Sequence, residues 1–85
     1  MKAILQSKMQ KMDKQIVLIA KKIKELRIAK GYTSYENFAW DNELPRVQYW
    51  RMEKGTNFTI KTLLKILKVH NLSLKEFFIS LDDTL

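Results

Sequence analysis

The sequence predicts an all-α fold: five short helices in one small domain, preceded by a helical N-terminal extension. Three observations predict it. The 85 residues include only two glycines and one proline, which leaves little room for tight hairpins. No window alternates apolar and polar residues with period two, whereas several repeat at helical spacing. Hydrophobic residues make up 46% and charged residues 29%, the balance of a folded domain rather than of a disordered tail.

Leu5, Met9, Met12, Ile16, Ile19, Ile23 and Leu26 recur at spacings of four and three, a heptad stripe. Ile16, Ile19, Ala20, Ile23 and Leu26 also form a face broad enough for a globular core. The stripe predicts a helical extension over residues 1–14 and a first domain helix ending near Lys30, where Gly31 supplies a left-handed stop. The extension either packs on its own domain or serves as a dimerisation arm.

Thr33 is the expected N-cap of a second helix, about 34–40, with Glu36 completing a capping box and Phe38 and Ala39 turned inward. Asp41-Asn42-Glu43 breaks that helix, Asn42 being the residue suited to positive φ. Pro45 fits the first turn of a third helix, about 45–53. It turns Tyr49 and Met52 one way, and Arg46, Val47, Trp50, Arg51 and Lys54 largely the other, before Gly55 ends it. Thr59 caps a fourth helix with Ile60, Leu63, Leu64 and Leu67 on one face and Asn71 at its end. Ser73 and Glu76 form a second capping box, opening a fifth helix with Leu74, Phe77, Phe78 and Leu81 at helical spacing. The domain spans 15–81, and the tail 82–85 is expected to fray. The expected core is Ile19, Ile23, Leu26, Phe38, Ala39, Leu44, Tyr49, Met52, Leu63, Leu64, Leu67, Leu72, Phe77 and Phe78. Trp40 is expected to fold inward over the space left by Asn42; the alternative is an exposed aromatic patch with Tyr35 and Trp50.

With no cysteine, neither a disulfide framework nor a Cys-based zinc site is expected. Ala3-Ile4-Leu5 is too short for a signal-peptide core, and the longest apolar run, Ile16 to Ala20, is far short of the ~20 residues that span a bilayer. The expected location is cytoplasmic (nucleoid-associated if bound to DNA), with no membrane partner. His70 has no second His or Cys to share a metal, so a structural or surface role is expected and no metal or cofactor. No Ser/His/Asp set, glycine-rich phosphate loop or Cys nucleophile suggests an enzyme, and Asp82-Asp83 reads as a solvated end.

The net charge is +7, unevenly spread. Residues 1–30 hold nine Lys/Arg and two acids, a balance of +7; residues 31–60 come to −1 and residues 61–85 to +1. Such a basic balance points to an anionic partner, nucleic acid above all. The second and third helices, joined by a short break, have the layout of a helix-turn-helix, whose second helix enters the DNA major groove.

From Leu18 to Phe78 the chain resembles the Cro/repressor-type helix-turn-helix family, also called the xenobiotic-response-element family. The resemblance is carried by Ile19 to Arg27, Phe38-Ala39, Leu44-Pro45-Arg46, Tyr49 to Gly55, Thr59 to Leu64 and Leu72 to Phe78. It implies a five-helix lambda-repressor-like domain, a homodimer on an inverted repeat of double-stranded DNA, and transcriptional regulation. It also implies a structural ion pair between Arg27 and Glu53. By position it makes Arg46, Val47, Gln48 and Arg51 the base-reading residues. Their chemistry suits that role, since Arg pairs with guanine, Gln with adenine, and a small apolar side chain with the thymine methyl. Backbone contacts fall to Ser34, Tyr35, Trp50, Lys54, Thr56, Asn57 and Lys61, which fix register without reading sequence. The chain departs from the family pattern at Tyr35, Glu43, Pro45 and Trp50, where a Gln, a Gly, a Ser or Thr, and a small polar residue are usual.

Two other functions fit the same residues. A protein-interaction module, antitoxin-like or adaptor, would use the aromatic surface of the second and third helices and need a protein partner. Non-specific DNA compaction would rest on the basic first thirty residues.

Overall fold

The computed structural model describes residues 14–56 and 58–81. Apart from Lys14, the extension expected over 1–14 therefore lies outside the described residues, as do Asn57 and the tail 82–85. The described residues form five helices and no strand: α1 Lys14–Ala29, α2 Tyr35–Asp41, α3 Arg46–Lys54, α4 Ile60–Val69 and α5 Leu74–Ile79.

The first four helices stop in one way. A residue with left-handed backbone follows the helix: Gly31 at φ 96°, Glu43 at 53°, Gly55 at 80° and Asn71 at 57°. Its N–H bonds the carbonyl three residues back, and the next N–H bonds the carbonyl five back. The second of these bonds runs from Tyr32 to Arg27 at 3.2 Å, Leu44 to Ala39 at 2.8 Å, Thr56 to Arg51 at 3.1 Å and Leu72 to Leu67 at 3.0 Å. This Schellman pattern satisfies carbonyls that the helix end leaves open. Glu43 takes the position expected of Asn42. The reason is that α2 runs on through Asp41, so Asn42 still caps it at φ −105° and its side-chain Nδ2 donates to the Phe38 carbonyl at 2.8 Å. A glutamate held left-handed costs roughly 1–2 kcal/mol, which a glycine would not.

At the helix starts, Ser34 rather than Thr33 caps α2; its Oγ accepts from the Asn37 N–H at 3.2 Å. With Asn37 rather than Glu36 at the third helical position, the expected capping box does not form and the cap is this one bond. Pro45 precedes α3 at φ −65°, with no side-chain cap. Thr59 caps α4 through the Thr62 N–H, and Ser73 and Glu76 form the reciprocal box at α5.

The core gathers Ile23, Phe38, Ala39, Leu44, Tyr49, Met52, Leu63, Ile66, Leu67 and Phe77, with Ile19, Leu26 and Leu72 packed at its edge. Leu64 and Phe78, expected inside, are about half exposed, and Ile66 is fully buried instead. The buried set of α4 is thus Leu63-Ile66-Leu67, an i, i+3, i+4 face rotated away from Ile60 and Leu64. Trp40 is 83% exposed. Phe38 and Ala39 take the inward positions of the short α2, and the Asn42 amide closes back on the Phe38 carbonyl, which leaves the indole on the outer side of the helix.

His70 caps α4 and lies half-buried with its ring stacked on Phe38, centroids 5.4 Å apart and planes 10° off parallel. Its Nε2 is buried and has no hydrogen-bond partner among the described residues. Burial, and secondarily Lys30, lowers its pKa from the ordinary 6.5. The unfolded chain therefore binds this proton first. The stability tied to neutral His70 is complete above pH 6.5 and is lost as pH falls through the folded value. Urea midpoints measured from pH 7.5 to pH 5 are expected to fall, and to fall less in His70→Phe, which keeps a stacking ring without the titration.

Candidate functional site

The third helix packs against both α1 and α2. Tyr49 and Met52 enter the core, and Phe38 of α2 meets the Tyr49 ring at a centroid distance of 5.1 Å. Because the buried residues are three apart, the remaining positions of this nine-residue helix, apart from Glu53, point outward. Arg46, Val47, Gln48, Trp50, Arg51 and Lys54 are all exposed. The nine residues therefore divide into an anchored face and a presented one.

The end of α3 is fixed to the end of α1 by one guanidinium. Arg27 Nε donates to Glu53 Oε2 at 2.8 Å and Nη2 to Glu53 Oε1 at 3.0 Å, a bidentate pair. A third bond runs from Nη1 to the Tyr32 carbonyl at 2.8 Å. Arg27 and Glu53 are almost wholly buried, and the hydrogen bond to Glu53 raises the Arg27 pKa further from titration. The Tyr49 hydroxyl is buried alongside, where desolvation and the Glu53 carboxylate push its pKa up and keep it neutral.

On the presented face, Arg46 Nη1 lies 3.9 Å from Glu36 Oε2, an exposed pair open to water. At such a site the pair contributes little and leaves the guanidinium able to change partner. Lys54 Nζ sits 5.4 Å from the Trp50 ring centre, a cation–π contact that orients the half-exposed indole. Gln48 and Arg51 line a groove of about 200 Å³ with Phe58, Thr59 and Thr62 from the approach to α4 and its first turn. That groove was not legible in the sequence, where Thr59 and Thr62 mark only a helix start.

Among the residues expected to touch a backbone, Ser34 is committed to the α2 cap and Tyr35 is packed partly against the core. The Thr56 hydroxyl donates to the Arg51 carbonyl at 3.0 Å, closing the end of α3. Lys61 is exposed on the first turn of α4. The structure thus gathers Arg46, Val47, Gln48 and Arg51 on one helix, and ties Ser34 and Thr56 into local structure.

Among the described residues no helix is long and apolar enough to cross a membrane. Comparison with protein-family models, with curated proteins and with solved structures finds no match for this chain.

Proposed function

We propose that this protein is a sequence-specific DNA-binding transcriptional regulator. It reads the major groove with α3 and binds an inverted repeat as a dimer. One observation carries the reading: a helix held in the core by Tyr49 and Met52 presents Arg46, Val47, Gln48 and Arg51 together on its free side. Two arginines, an amide and a small apolar side chain are a set that can distinguish base edges. The short α2, ending in a left-handed turn, braces this helix as the first helix of a helix-turn-helix does. The resemblance of residues 18–78 to the Cro/repressor-type family adds a lambda-repressor-like fold and dimeric binding, with recognition helices ~34 Å apart. The basic first thirty residues would supply affinity that is independent of sequence and falls with salt.

Enrichment of a random double-stranded DNA pool on the purified chain tests this. The wild type is expected to enrich an inverted repeat. Arg51→Ala is expected to blur it at the bases that Arg51 meets, with a loss of about 1–3 kcal/mol per base. DNA retained without a motif would favour charge-driven compaction. No retention would favour a protein-interaction module, the reading that the exposed Trp40 supports.

A further inference from the structure

We propose that the trough between α1 and α5 is a docking surface for an acidic, apolar-faced peptide segment of another protein. Two adjoining grooves form it. One, of about 270 Å³, lies among Gln15, Leu18, Ile19, Phe78 and Leu81. The other, of about 190 Å³, continues from Leu18 and Leu81 to Lys21, Lys22 and Glu25. The floor is thus aliphatic and aromatic, and one wall is basic.

The apolar side chains here are held, not merely left outside. Phe78 stands edge-on to the buried Phe77, with ring centroids 5.3 Å apart, while its own outer face remains about half exposed. Ile79, next to it, is 71% exposed. A fixed apolar floor beside exposed apolar side chains marks a contact surface, unlike single scattered hydrophobics.

Charge selects the occupant. Lys21 and Lys22 stand on the wall, Lys14 begins the same helix, and Lys75 lies on α5. Against them stand Glu25 and Glu76, and Glu76 already accepts from the Ser73 N–H. A second copy docked symmetrically would bring two such basic walls together, and like charges across an interface cost affinity. Residues 1–12 fit no better, since they carry Lys2, Lys8 and Lys11 and no acid. An acidic segment with an apolar face satisfies both floor and wall. The trough shares no residue with the presented face of α3, so such a partner and DNA would not compete for the same side chains.

The test uses the full chain and a fluorescein-labelled amphipathic peptide with leucines on one face and glutamates flanking them, read by anisotropy. Saturable binding is expected. It should weaken at least about tenfold in Lys21→Glu/Lys22→Glu and, separately, in Phe78→Ala, as removal of interface anchors does, and stay unchanged in Arg51→Ala. Circular dichroism of each variant checks that it is folded. Equal binding of a peptide with lysines in place of the glutamates, or indifference to Phe78→Ala, would overturn the proposal. So would binding that appears only when the chain is truncated after Leu81, which would make Asp82-Asp83-Thr84-Leu85 the occupant. A concentration-dependent dimer abolished by Leu18→Lys, at a residue that lines both grooves, would assign the trough to a second copy and overturn it equally.

Discussion

Alanine at Glu53 is expected to lower the free energy of unfolding by about 3–5 kcal/mol, because it leaves a buried guanidinium without its carboxylate. The size follows from the geometry. Both carboxylate oxygens are engaged, and the side chains of Arg27 and Glu53 retain 6% and 9% of their exposure. For a domain of this size each kcal/mol is worth roughly 4–8 °C in Tm, so thermal unfolding reads the change easily. Arg27→Ala is expected to cost a similar amount, since it strands the carboxylate. The double replacement Arg27→Met/Glu53→Leu should recover much of the loss, because apolar residues of like volume leave no buried charge behind. Both single variants losing less than about 1 kcal/mol, the value of a surface pair, would contradict the account.

Phe38→Ala is expected to cost about 3–5 kcal/mol by removing a fully buried ring from the middle of the core. Three neighbours meet that ring: Tyr32 edge-on at 5.2 Å, Tyr49 tilted at 5.1 Å and His70 stacked at 5.4 Å between centroids. The side chain therefore connects the α1–α2 loop, α3 and the end of α4. Its loss should disturb the seat of α3 as well as global stability. Urea unfolding gives the first effect. The near-ultraviolet circular dichroism of the surrounding aromatics gives the second, and an unchanged spectrum would argue against the bridging role.

Most of the scaffold is legible in the sequence because local chemistry decides it. Gly31, Gly55 and Asn71 tolerate left-handed backbone, and each ends a helix where it stands. Thr59 and the Ser73–Glu76 pair open helices through bonds that span three residues. The errors arise where tertiary packing competes with local preference. Glu43 is an unfavourable residue for its turn, yet the length of α2 forces the turn onto it. Ile66 and Leu64 both lie on apolar stripes of α4, and only the other helices determine which stripe faces inward. Trp40 looks like core by composition and sits outside by register, because a seven-residue helix has few inward positions and Phe38 and Ala39 hold them. The presented face of α3 follows from its spacing around Tyr49 and Met52. The groove beside it requires α4 to be placed in three dimensions, and no sequence spacing encodes that.

The Arg27 guanidinium holds a carbonyl in the α1–α2 loop and both oxygens of a carboxylate at the end of α3. If Arg27 leaves, both of the others lose their hydrogen bonds to it, and if either of them leaves, part of the guanidinium is left unpaired. The final turn of α1, the backbone at Tyr32 and the final turn of α3 thus belong to one cooperative opening unit, in which a local fluctuation is converted into a concerted one. In α3 that linkage suppresses independent fraying at the end farthest from Pro45.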